Sequence, residues 1–189
     1  MESMAYLIER EITCGFMAAP DYPYHAAEMV VDHLFPEFGK DKLRVIALCD
    51  ACLQFSEPGK MFIQSLEIFK EQNFVPQNAN LIIDHFYSCP CEQMGVSTKM
   101  MAGFISMSMM VGERLKLYLK GKEFSPFHHV VYNLLGFGMR ERINNRYFML
   151  DIVRNGYVLR NPLMNRYVKE TGTPIIKDSN EDYWFVPPK

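Results

Sequence analysis

Two stretches of this chain say nearly the same thing. "MVVDHLF" (Met29–Phe35) returns as "LIIDHFY" (Leu81–Tyr87), 52 positions later. The likeness extends to either side. Pro23 leads into the first copy and Pro76 into the second, and the copies close on "LEIFKEQNFVP" (Leu66–Pro76) and "LKLYLKGKEFSP" (Leu115–Pro126). A unit of this length that returns within one chain is a supersecondary module whose apolar face is covered by its neighbours. The periodicity predicts three helices per copy, at 24–35, 41–55 and 60–73, then at 78–88, 97–111 and 112–121. Ala26, Met29, Val30 and His33 make an i, i+3, i+4, i+7 face on the first. Pro36 and Gly39 stop that helix, Asp41 can cap the next, and Ser97 can cap the matching helix of the second copy. A third, looser copy starts at "PFHHVVYNLL" (Pro126–Leu135).

The expected fold class is therefore mainly all-α. Residues 1–135 form a helical bundle or short helical-repeat stack; the two copies are read as a duplication over 24–76 and 77–126, with two related helices in a compact bundle, or a chance likeness of short apolar helices, as the alternatives. Residues 136–171 form a basic helix or hairpin appendage packed on that core, and 172–189 an extended tail. The chain has 189 residues, enough for one domain with a sizeable core.

After Gly136 the texture changes to "MRERINNRYFMLDIVRNGYVLRNPLMNRYVKE". Asn155-Gly156 is a tight-turn signal, since Asn-Gly accepts positive φ. It predicts a small β-hairpin or wing-like element near 146–169. In one version 146–153 pairs with 157–161. In the other a helix ends at Gly156 and a short strand follows. "GYVLRNP" resembles the opening of the wing in winged-helix domains. The resemblance is confined to this stretch, and the span from "NLLGFG" to "NGY" leaves little room for two full helices, so the family is not assigned.

Charge is divided along the chain. Residues 1–111 hold 7 Lys and Arg against 14 Asp and Glu, whereas residues 112–189 hold 13 against 8. Two readings stay open. Arg140, Arg142, Arg146, Arg154, Tyr157, Arg160, Arg166 and Lys169 can form a nucleic-acid-binding face, because guanidinium forks match phosphate oxygens and rings stack on bases. Alternatively the arginines meet the acidic half of the same chain.

Four of the five cysteines fall in two tight pairs, Cys49/Cys52 in "CDAC" and Cys89/Cys91 in "CPC". Zinc is the ion such thiolates would take. Against this, Val45, Ile46, Cys49, Cys52 and Leu53 share one apolar helical stripe, on which cysteine behaves as a small buried hydrophobe. Asp32-His33 and Asp84-His85 sit one helical position apart, so each pair diverges, and the plain reading is a helix end with an exposed Asp and a half-buried His. The tail holds "YWF" (Tyr183, Trp184, Phe185), apolar enough to dock back or to engage a partner.

The sequence carries no Gly-rich phosphate loop, no nucleophile elbow and no His-Glu-x-x-His. Acids at Glu2, Glu9 and Glu11 stand where a secretory signal would be basic and then apolar, and "MMAGFISMSMMV" (Met100–Val111) is too short to cross a bilayer. The expectation is a non-catalytic intracellular helical binding or regulatory protein. It would need no cofactor, keep away from membranes and act through a protein partner. Its alternatives are a nucleic-acid-binding regulator using 140–169 and a metal-dependent enzyme using the Cys and His residues.

Overall fold

The computed structural model describes residues 2–13, 19–55, 57–88, 113, 136–172, 176–177 and 183–184. These are almost wholly helical: α1 (Glu2–Thr13), α2 (Asp21–Tyr24), α3 (Ala26–Leu34), α4 (Pro36–Gly39), α5 (Lys42–Cys52), α6 (Pro58–Glu71), α7 (Asn80–Ser88), α8 (136–144), α9 (Phe148–Asn155) and α10 (Tyr157–Thr171). The all-α class holds. The second and third helices of the second copy, Cys89, Cys91, Ser97 and Phe185 lie outside the described residues.

Everything is organised around α5. It touches α1, α3, α4, α6, α7 and α9. All eight residues from Val45 to Cys52 are buried, so beyond its first turn the helix has no solvent face. The expected stripe understated this: a helix that is apolar nearly all round belongs in the middle. The Asp41 carboxylate caps it by accepting the Leu43 N–H at 2.9 Å. The flanking helices obey the usual period. In α6, Met61, Phe62, Ser65, Leu66 and Phe69 point inward. That helix stops where Asn73 turns to φ 50° and the Phe74 N–H returns to the Phe69 carbonyl at 2.7 Å.

The inward face of α3 differs from the expected one. Glu28 and Val31 are buried and Ala27, Val30 and Leu34 pack on the core, whereas Met29 and His33 are exposed. The cause is electrostatic. Glu28 turns inward because it finds two cationic partners and an imidazole there. The Arg10 guanidinium grips it bidentately at 2.8 and 3.1 Å, Lys42 reaches it at 2.7 Å, and His25 Nδ1 lies 3.0 Å away. Burial would push this carboxyl up, but those partners together bring it down to about 2. The two "DH" helices still correspond in part. Val31 and Ile83 are fully buried and Met29 and Leu81 exposed at matching positions.

The stretch 146–169 is not a hairpin or wing. Leu150 is fully buried, with Tyr147, Met149 and Val153 packed beside it, which is the spacing of a helix. Strand alternation would instead have turned Asp151 to the same side as Met149 and Val153. Gly156 does supply a turn, at φ 49° and ψ −125°, but between two helices, and its N–H caps α9 on the Ile152 carbonyl at 2.9 Å. The β structure lies further on, in the stretch expected to be an extended tail. There β1 (Ile176–Lys177) pairs antiparallel with β2 (Tyr183–Trp184), with Ile176 opposite Trp184.

Candidate functional site

The basic segment is turned largely toward the rest of the chain. On α8, Arg142 enters the core and meets Asp50 of α5, an acid whose side chain is only 1% exposed. Burial pushes the Asp50 carboxyl up while the Arg142 guanidinium pulls it down, and burial prevails. Arg154 on α9 donates to Asn80 at 2.7 Å and to Asn78 at 3.1 Å, at the start of α7. Arg140 and Arg166 tie α8 to α10. Arg140 pairs with Glu170, Arg166 pairs with Glu141, both guanidinium groups lie over the Phe137 ring, and Tyr167 meets that ring edge-on at 5.4 Å. Lys169 is exposed. Tyr157 and Arg160 lie in the first turn of α10, and Tyr183 and Trp184 in β2.

Arg146 sits in the turn between α8 and α9 and builds the first candidate site. Its Nη2 reaches Asp84 Oδ1 at 2.9 Å, and the same oxygen accepts the Tyr147 hydroxyl at 2.6 Å. The guanidinium carbon lies 4.9 Å from the Tyr147 ring centre and 5.4 Å from that of Tyr87. Bonding to Asp84 holds the Tyr147 phenol above its ordinary range, since losing its proton would set two anions together. The neighbouring His85 points elsewhere, as the one-position offset requires. It packs edge-on against Phe69 at 5.2 Å and beside Phe74, and burial lowers its basicity. Beside these groups opens a cleft of about 440 Å³, lined by Phe74, Leu81, Asp84, His85, Tyr87, Ser88 and Arg146.

The second candidate is a groove of about 220 Å³ between α1, α3, α5 and α6. Ser3 and Met4 form one wall and Ala26, Ala27 and Val30 another. Cys49, Cys52 and Leu53 line it from α5, and Pro58, Gly59, Phe62 and Ile63 complete it from α6. Among the described residues no charged side chain lines it. Met29 on α3 and Ile63 on α6 are exposed, 56% and 42% respectively. Both thiols are buried and reduced. Burial pushes Cys49 up to about 12 and Cys52 well above its ordinary value, so both stay protonated and poorly nucleophilic at neutral pH. Among the described residues no group of three or more His, Cys, Asp or Glu converges as a metal site would require.

Sequence reasoning missed Asp50 and Glu28, the two acids on which the ion-pair architecture turns. Asp50 had a signal: it is the only charge in "VIALCDAC", a run with no polar face to put it on. Glu28 had a fainter one in its i, i+3 spacing from His25. Compared with protein-family models, with curated proteins and with solved structures, the chain matches none of them.

Proposed function

We propose that this chain is a non-catalytic helical binding protein that receives an apolar helix of a partner protein in the groove between α1, α3, α5 and α6. The observation that carries the reading is the lining: a concave strip between helices, without a charged side chain among the described residues, and with the partly exposed Ile63 in its wall. Amphipathic helices dock in such grooves through apolar side chains at i, i+3, i+4 and i+7. The protonated thiols inside suit a contact surface better than a nucleophile. The nucleic-acid alternative draws less support, because Arg142, Arg146, Arg154 and Arg166 are already paired within the chain. Among the described residues no helix is long and apolar enough to cross a membrane.

Gly59 offers the test. It lines the groove, and a side chain there would enter open space. A Gly59→Trp variant should keep its melting temperature and lose the partner that wild-type protein captures. An Arg140→Gln/Arg166→Gln variant should retain that partner. Capture that is indifferent to Gly59→Trp would overturn the reading. So would tight, salt-sensitive RNA or DNA binding abolished by the arginine changes.

A further inference from the structure

The cleft beside Asp84 is separate from that groove and has a chemistry of its own. Its polar end consists of ring faces and a carboxylate. The π-faces of Tyr87 and Tyr147 carry partial negative charge, and Asp84 a full one, so the seat between them attracts cations and repels anions. The chain already displays a guanidinium in that seat, that of Arg146. We propose that the cleft is an arginine-recognition site filled by its own Arg146, and that an arginine side chain from a partner polypeptide takes the seat by displacing it.

Three observations support displacement. The Arg146 side chain is 44% exposed, and its ion pair with Asp84, itself 36% exposed, is of the surface kind that holds weakly. Arg146 is the middle of the three residues, 145–147, that link α8 to α9, outside either helix, so it can swing away without unwinding one. The Asp84 carboxylate is half used: Oδ1 takes both the Tyr147 hydroxyl and Arg146, while Oδ2 has no partner among the described residues. An incoming guanidinium can therefore engage both oxygens, the bidentate geometry that distinguishes Arg from Lys. The remaining cleft, with Phe74 and Leu81 in its wall, is larger than a guanidinium needs. It accepts the aliphatic stem and an apolar neighbour of the incoming arginine. That extra contact is required, because Arg146 competes at the effective concentration of a tethered group.

The experiment uses the full chain and a defined probe, N-acetyl-arginine amide, with N-acetyl-citrulline amide as its uncharged counterpart. Binding is followed by the NMR ring signals of Tyr87 and Tyr147. Arg146→Ala empties the seat and should bind the arginine probe about two- to sixfold more tightly than wild type, the margin that a weak tethered surface pair imposes on its competitor. It should not respond to the citrulline probe. Adding Asp84→Asn should abolish the binding. Equal affinities for wild type and Arg146→Ala would overturn the proposal, as would equal response to the two probes or indifference to Asp84→Asn. Should Arg146→Ala fail to fold, Arg146→Gln keeps the stem and is read the same way. Should that fail too, a saturable Tyr87 shift in wild-type protein with N-acetyl-leucyl-arginine amide, which carries the apolar neighbour, supports the site, and no shift overturns it. Loss of the apolar-groove partner in the Gly59→Trp variant bears on the other site only.

Discussion

Arg142→Met gives the sharpest test of how the basic segment is held. The change leaves the Asp50 carboxyl, 1% exposed, without its counter-charge, and among the described residues Asp50 Oδ1 has no well-aligned hydrogen bond of its own. Removing one member of a buried ion pair costs about 3–5 kcal/mol, because the survivor stays desolvated and unpaired. For a chain of this size that lowers the melting temperature by roughly 6–20 °C. The loss should depend on pH, and its sign follows from the shift. Burial raises the folded-state pKa of Asp50 above its unfolded value. The folded state thus binds this proton more readily, and the group's contribution to stability is complete below the unfolded value and lost as pH rises through the folded one. Arg142 opposes that shift, so its removal moves the upper end of the window higher and deepens the loss. Urea unfolding of wild type and Arg142→Met should therefore differ most at neutral pH and least near pH 4, about the unfolded aspartate value. The double variant Asp50→Val/Arg142→Met should regain most of the lost stability, since an apolar pair of similar bulk often replaces a buried ion pair at little cost. A pH-independent loss below about 1 kcal/mol, the scale of a surface pair, would refute the reasoning. So would a double variant no better than the single one.

Glu28 should show the opposite pH window. Its carboxyl is held down to about 2, so its contribution is present above the unfolded glutamate value and fades as pH falls toward about 2. Glu28→Gln should cost about 2–3 kcal/mol at neutral pH and almost nothing at the acid end, read as urea midpoints across pH. Gly39→Ala should destabilise by about 1–3 kcal/mol through overpacking, despite alanine's better helix propensity. The new Cβ would lie 2.8 Å from Val31 Cγ1 and 3.0 Å from Asp32 Oδ1, and thermal melts of Gly39→Ala with and without Val31→Ala should show partial rescue. Cys49 and Cys52 should resist alkylation in native protein at neutral pH and react once urea unfolds it, as peptide mass mapping at those two positions will record.

Helical character and the principal stops were legible because they depend on local chemistry. Asp41 caps α5, Pro36 opens α4, and apolar spacing places α6 and α7 within a few residues. The inward face of α3 was not legible. Met29 is more apolar than Glu28, and only the arrival of Arg10 and Lys42 from other parts of the chain, beside the neighbouring His25, makes the acid the buried one. The misplaced hairpin has a related cause. Asn155-Gly156 specifies a reversal of the backbone but not what it joins, and the helical choice is made by Leu150 docking against a core assembled from residues far upstream. Of the candidate site, Asp84, His85 and Arg146 were each conspicuous in the sequence. Their meeting was not, since Asp84 and Tyr147 lie 63 positions apart and nothing local links them.

The position of Asp50 also bears on how the molecule is made. A ribosome delivers α5 long before α8, so the emerging chain holds an acid at the centre of its future core with no cation to receive it. Until Arg142 leaves the exit tunnel, closing the core around α5 means either burying a bare charge or binding a proton. Tight packing around α5 is therefore expected only once α8 has arrived. A product terminated upstream of that point carries the same defect permanently, which marks it for proteolysis rather than leaving it as a stable helical remnant.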